Sequence, residues 1–263
     1  MPYTFGNNIT FDDTNYFTRR DGGTDYGNEH WHHLVDLTGD IYGGEGIQFS
    51  GANGGTTRKT AICAAANYSG GGGGKGVRFF KGTGASNQLS ASIEINLPSA
   101  VSEFWCRYYQ RYEPGTAFVS LVYIKDFFGT PPNLIWGRQG SGMGVHYSGA
   151  NVAAGDLDWY EVFGNPSDGA WHCFEYHIKS ATPTTGVVEG WIDNVKVLDA
   201  TGLDLGDAET WDRFWFADNQ SQLANGQSDY WMDMDDIVFS VTGRIGLFEG
   251  AGAPARRGSM SLR

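Results

Sequence analysis

Cysteine is scarce in this chain: three in 263 residues, Cys63, Cys106 and Cys173. No two of them form a CxxC pair and an odd number cannot all pair internally, which excludes a disulfide framework and a thiolate metal site. Cys106 and Cys173 each stand within a β-patterned run, where a free thiol serves as a small buried apolar group. Long apolar runs are missing too, and no stretch approaches the roughly 18 residues needed to cross a bilayer. The opening MPYTFGNNITFDD has neither a basic n-region nor an apolar h-region, so no secretory signal is expected there. Positive charge is in deficit, with 18 Lys and Arg against 30 Asp and Glu and a formal net charge of -12. A surface that acidic repels phosphate backbones, which sets nucleic acid aside as a partner. Only Arg256, Arg257 and Arg263, near the end of the chain, make a locally basic stretch.

Motifs for nucleophilic or phosphate chemistry are equally absent. There is no Gly-x-Ser-x-Gly elbow and no spacing that implies a Cys-His pair. The run NYSGGGGGKG (67–76) does not cradle phosphate, because Lys75 is followed by Gly76 rather than Ser or Thr and no helix follows. Five consecutive glycines predict a flexible loop tip instead.

Glycine and aromatics are what the chain has in quantity: 39 Gly, 9 Trp, 13 Tyr and 16 Phe. The glycine load suits many turns and argues against a helical protein, while the aromatics suffice for a large core. An all-β sandwich of this length is commonly one domain, so residues 1–247 are expected as one unit with a flexible tail over 248–263.

Period-2 alternation dominates from about residue 77 to 239. In SIEINL, Ile93, Ile95 and Leu97 oppose Ser92, Glu94 and Asn96. In EFWCRYYQRY, Phe104, Cys106, Tyr108, Gln110 and Tyr112 share one face, and Glu103, Trp105, Arg107, Tyr109 and Arg111 share the other. Further strands are predicted at 118–124, 134–137, 171–179, 187–198, 213–218 and 230–241, with short extended pieces at 3–5, 9–11 and 46–49. The acidic stretch 204–212 is the best candidate for one helical turn. Many short strands without βαβ alternation predict an all-β, two-sheet antiparallel jelly-roll sandwich.

The segments SEFWCRYYQRYEPG, DGAWHCFEYHIKSATPTTGVVEGWIDNVKVLDATG and YWMDMDDIVFSVTGRIG resemble the concanavalin A-like jelly rolls of polysaccharide lyases and laminin-G-type lectin domains, over roughly residues 100–247. The middle segment carries most of the likeness, through Trp171, Lys179, Pro183, Gly186 and the hairpin Trp191-Ile192-Asp193-Asn194. The resemblance implies a carbohydrate partner, as polysaccharide or surface glycan. Lyases of this kind pair an Arg-bearing strand with a Gln-x-His strand and a Tyr-bearing strand. This chain has no Gln-x-His triplet and no Tyr-Lys-x-Gly-x-Tyr run. The nearest substitutes are Arg107 or Arg111, His177 with Glu175, and His146-Tyr147.

A base, a carboxylate neutraliser and an acid are what β-elimination requires, so Arg107, His177, Glu175 and Tyr147 are the catalytic candidates. Aromatics beside amides and carboxylates suit sugar rings, which singles out Trp136, Tyr147, Trp159, Tyr160, Trp215, Glu189 and Trp191. Asp233, Asp235 and Asp236 offer hard oxygen ligands for calcium, the one cofactor the sequence admits, although a solvated acidic strand edge is the favoured reading. His30, His32 and His33 draw attention as metal ligands, with a surface loop favoured there. Missing triplets make a non-catalytic carbohydrate-binding module the first expectation. It would be displayed extracellularly or on a virion and would act there as an assembly or coat component. A uronate-specific polysaccharide lyase is the alternative.

Overall fold

The computed structural model describes residues 17–20, 31–36, 58–68, 74, 76–81, 91–115, 123–130, 133–139, 142–148, 167–180, 185–203, 205, 210–216 and 230–248. Among them are fourteen strands and one 3-10 turn, Ala64–Ala66, and no α-helix. The strands are β1 Phe17–Arg20, β2 Trp31–Asp36, β3 Arg58–Cys63, β4 Gly76–Lys81, β5 Ala91–Val101, β6 Glu103–Tyr112 and β7 Tyr123–Thr130. There follow β8 Asn133–Gln139, β9 Gly142–Ser148, β10 His172–Lys179, β11 Gly186–Ile192, β12 Val195–Leu203, β13 Trp211–Phe216 and β14 Tyr230–Ser240.

They form two seven-stranded sheets. Sheet one runs β1-β2-β5-β13-β7-β8-β9 and sheet two runs β12-β11-β10-β6-β14-β4-β3. All pairings are antiparallel except β2 with β5. The chain is thus the two-sheet jelly-roll sandwich that its alternation predicts.

Alternation on β6 explains how the sheets meet. Phe104, Cys106, Tyr108, Gln110 and Tyr112 all face the interior, fully buried. Phe104 meets Trp211 and Phe214 of β13 at ring separations of 5.6 and 5.0 Å, and Tyr108 meets Phe216 edge-on at 5.5 Å. Phe239 of β14 joins the same seam against Phe214, 4.9 Å away. Such offset and edge-to-face pairs are favoured by the ring quadrupole, beyond the area they bury.

Two tight places require particular residues. Asp193 and Asn194 join β11 to β12 with φ of 50° and 68°, the double positive φ of a type I′ hairpin turn. Gly76 opens β4 where it passes the 3-10 turn so closely that a Cβ would lie 1.9 Å from the Ala66 carbonyl oxygen.

Several expectations need correction. Of the strand expected at 118–124, only 123–124 fall among the described residues, where they open β7, which continues to Thr130. A register shift between Lys125 and Phe127 interrupts the alternation of this strand. The His-rich segment is no loop: Trp31–Asp36 is a strand held between β1 and β5, where pairing on both sides decides the conformation. The acidic stretch supplies the start of β13, at Trp211, and its parts at 204 and 206–209 lie outside the described residues, as do the extended pieces at 3–5, 9–11 and 46–49. Asp233, Asp235 and Asp236 form no solvated edge. Strand β14 lies inside sheet two between β6 and β4, and all three carboxylates are buried.

Candidate functional site

The face of sheet two that points away from the core collects most of the predicted site residues. Cross-strand register sets Arg107 opposite Glu175 and Trp105 opposite His177. It likewise sets Glu175 opposite Trp191 and His177 opposite Glu189. Three of the four catalytic candidates, Arg107, Glu175 and His177, therefore do share one face, along with Glu189 and Trp191.

That face is built as an interior. Arg107 and Glu175 are each 2% exposed. The Glu175 carboxylate accepts hydrogen bonds from the backbone N–H of Ile245 at 2.6 Å and of Gly246 at 3.1 Å, and Arg244 pairs with it at 3.4 Å. Tyr109 Oη accepts the Phe248 N–H at 2.9 Å, and Phe248 packs on Tyr68, Tyr109 and Cys173. Residues 241–248 thus lie over the groove that Arg107, Glu175 and Trp191 would otherwise line. The domain's described part reaches one residue into the expected tail, to Phe248.

His177 is equally engaged. Its Nδ1 lies 2.8 Å from Glu189, its Nε2 lies 3.0 Å from Glu103, and its ring stacks on Trp105 at 4.0 Å and 4°. Lys179 pairs with Glu103 and Lys196 with both Glu189 and Asp199, so a chain of polar contacts crosses β6, β10, β11 and β12. Burial opposes ionisation of Glu189, but Lys196 and His177 outweigh it and hold its carboxyl below the usual range.

The carboxylates of Asp233 and Asp235 on β14 are likewise taken up by protein groups. Asp233 accepts from Arg78 at 2.6 and 2.9 Å and from Arg111 at 2.8 Å. Asp235 accepts the N–H groups of Tyr68 and Asp236, each at 2.8 Å. Asp236 sits at φ 51°, in the bulge that shifts the β14–β6 register between Asp235 and Val238. Among the described residues, no group of three or more His, Cys, Asp or Glu is arranged to hold a metal ion.

Tyr147 belongs to the other sheet. It pairs with Leu134, and Trp136 pairs with Phe127 and Val145. Following register inward, Leu134 aligns with Gly129 and Phe214, and Phe127 aligns with Phe216. Phe214 and Phe216 are fully buried against sheet two, so Tyr147 and Trp136 occupy rows that run through core-facing positions. Tyr147 therefore does not join Arg107, Glu175 and His177, which lie on the far face of the other sheet. Trp159 and Tyr160 lie outside the described residues.

The intervening rows of sheet one occupy the face opposite the core. One row aligns Leu34, Glu94, Trp215, Phe128, Ile135 and His146. The next aligns Asp36, Asn96, Arg213 and Thr130. On the same face Lys125 pairs with Gly137, and Tyr123 pairs with Gln139. These positions carry aromatics, aliphatics, a histidine, two basic residues, two acidic residues and two amide residues within one sheet face. Trp215 and His146 were visible in the sequence as isolated residues. Glu94, Arg213 and Lys125 were missed, because only the order β5-β13-β7-β8-β9 brings them together.

No family model matches the chain, and no curated protein matches its sequence. Solved structures match its fold. An endo-β-1,4-glucuronan lyase from the fungus Trichoderma reesei superposes with a TM-score of 0.56 at 14% identity, covering 72% of this chain and 89% of its own. The cellulose-induced protein Cip1 superposes with a TM-score of 0.52 at 16% identity, covering 74% of this chain and 90% of its own. At such identities the likeness is one of fold.

Proposed function

We propose that this concanavalin A-like jelly roll is a surface-displayed module that binds polysaccharide along the face of sheet one opposite the core. The observation that carries the proposal is the register across β5, β13, β7, β8 and β9. It places Glu94, Trp215 and His146 in one row, with Arg213 and Asn96 in the next. Sugars are recognised by such combinations: an aromatic offers its flat apolar face to C–H groups, and amides and charges take the hydroxyls. The face that held the earlier candidates is occupied by the chain itself, which leaves sheet one as the better surface. Register positions on this face carry both signs of charge, Lys125 and Arg213 with Glu94 and Asp36, which suits hydrogen bonding to hydroxyl and carboxylate groups of a polymer.

Affinity electrophoresis in gels containing alginate, glucuronan or a neutral glucan tests the reading. The wild-type chain is expected to be retarded by at least one of them, and Trp215→Ala to lose that retardation by about tenfold in apparent affinity, as a stacking contact of about 1–2 kcal/mol implies. Unretarded migration in every gel would overturn it.

A second reading is a polysaccharide lyase acting on a uronate polymer by β-elimination. Tyr123, Lys125, Arg213 and His146 at positions on that same face favour it, since these residue types can neutralise a carboxylate and move a proton. That one similar structure is a glucuronan lyase adds support. The reading requires ultraviolet absorbance from unsaturated products on incubation with a uronate polymer, and a flat trace across the panel removes it.

A further inference from the structure

We propose that residues 241–248 are a hinged strap that latches on Glu175 and opens as a unit, uncovering the outward face of sheet two while the sandwich stays folded. The strap and the surface beneath it differ sharply in burial. None of residues 241–248 is buried, and Val241 and Leu247 are 38% and 39% exposed. Directly beneath, Arg107, Tyr109, Cys173 and Glu175 are all buried. A segment that buries little of itself opens at low cost, whereas the strands it covers open only with the whole domain.

Among the described residues its attachments are concentrated. Three strap groups, the N–H of Ile245, the N–H of Gly246 and the Arg244 guanidinium, converge on the one Glu175 carboxylate. Further anchors are the Phe248 N–H on Tyr109 Oη, the Arg107 guanidinium over the Phe248 ring at 5.7 Å, the Thr242 N–H on Ser240 Oγ, and the Arg244 guanidinium, which reaches Asn194 and lies over the Trp191 ring at 4.5 Å. Gly246 makes the crossing at φ 74°, a conformation that a Cβ disfavours, and open space surrounds it. Substitution there strains the strap and touches nothing else. The strap therefore behaves as a lid over a polar face of its own sheet, on the opposite side of the molecule from the proposed polysaccharide surface.

Cysteine labelling reads the opening directly in the full chain. Cys173 lies beneath the strap in the cluster with Phe248, and burial pushes its thiol up to about 12. Cys106, on the core face of the adjacent strand β6, is fully buried and serves as an internal control. Iodoacetamide modification would be followed by peptide-resolved mass spectrometry, which also separates Cys63. Cys173 is expected to react at least about tenfold faster than Cys106 under native conditions. Gly246→Ala is expected to speed Cys173 by about fivefold or more and leave Cys106 unchanged, since a left-handed residue with a Cβ is disfavoured by about 1–2 kcal/mol. Glu175→Gln should act in the same direction by weakening three attachments at once. Equal rates at Cys173 and Cys106 with a shared denaturant dependence, or a Gly246→Ala effect of the same size at both thiols, would show that the strap opens only with the whole domain and would overturn the proposal.

Discussion

Asp233 shows what a single residue does on the outward face of sheet two. Its carboxylate is fully buried, and two guanidiniums that are themselves about a quarter exposed grip it from β4 and β6. Arg111 is in turn flanked by Trp171 and Trp231, and Arg78 lies over Trp231 at 4.4 Å. Removing the carboxylate strands two cations in a half-desolvated stack. Asp233→Ala is expected to cost about 3 kcal/mol, read as a lower urea midpoint with unchanged slope. The contrasting Asp199→Ala, at a carboxylate 62% exposed, is expected to stay within about 0.5 kcal/mol of wild type. Gly76 is the second sensitive residue. Its missing Cβ would meet backbone rather than a movable side chain, so Gly76→Ala is expected to destabilise by about 1–3 kcal/mol in the same assay.

Among the elements, the β11–β12 hairpin is tied to the start of β10 through its turn. Asp193 accepts the Cys173 N–H through Oδ1, donates its own N–H to the Cys173 carbonyl, and holds His172 Nδ1 at 2.7 Å through Oδ2. His172 Nε2 meets Asp168 at 3.3 Å. Burial opposes the charged ring, yet Asp193 and Asp168 prevail and raise its pKa above the usual 6.5. A raised folded value means this contribution is complete below about pH 6.5, the value in the unfolded chain, and is lost as pH climbs through the folded value. Both carboxylates are about half exposed, so the effect should be below about 1 kcal/mol. His172→Gln is expected to flatten the fall in stability as pH rises above about 6.5, measured by thermal unfolding at several pH values. At the same turn, Asn194→Val is expected to destabilise by about 1–2 kcal/mol, because a β-branched residue resists φ 68°.

The elements also show where alternation could be read and where it failed. Strands β6, β10 and β14 stand out because each runs to eight residues or more with apolar groups recurring at alternate positions, and β11 stands out through Val188, Trp191 and Ile192 ahead of its turn. The β12 strand was recognised through its turn. Bulges hid β7. Strands β1 to β4 and β9 are short or glycine-bearing, and their apolar pattern is too brief to separate from loop. The shared face of Arg107, Glu175 and His177 was legible because strand periodicity dictates it. Its burial was not, since the covering strap is about 70 residues further along the chain from Glu175.

At the scale of the molecule, the aromatic seam between the sheets is the structural centre. Phe104 touches Trp211, Phe214 and Phe239, so it bridges both sheets. Phe104→Ala is expected to cost about 3–5 kcal/mol and to lower the thermal midpoint in one cooperative step, by differential scanning calorimetry. The sequence by itself determined the class of fold, because scarce cysteine, abundant glycine and period-2 aromatics leave a large sandwich as the economical way to bury the apolar faces. It also determined which residues share a strand face, since that follows from the pleat alone. Which faces are open, and which residues of distant strands become neighbours, were decided only by the tertiary structure. Pairing order, register shifts and a strap from the far end of the chain are long-range choices, set by packing between segments that no local pattern connects.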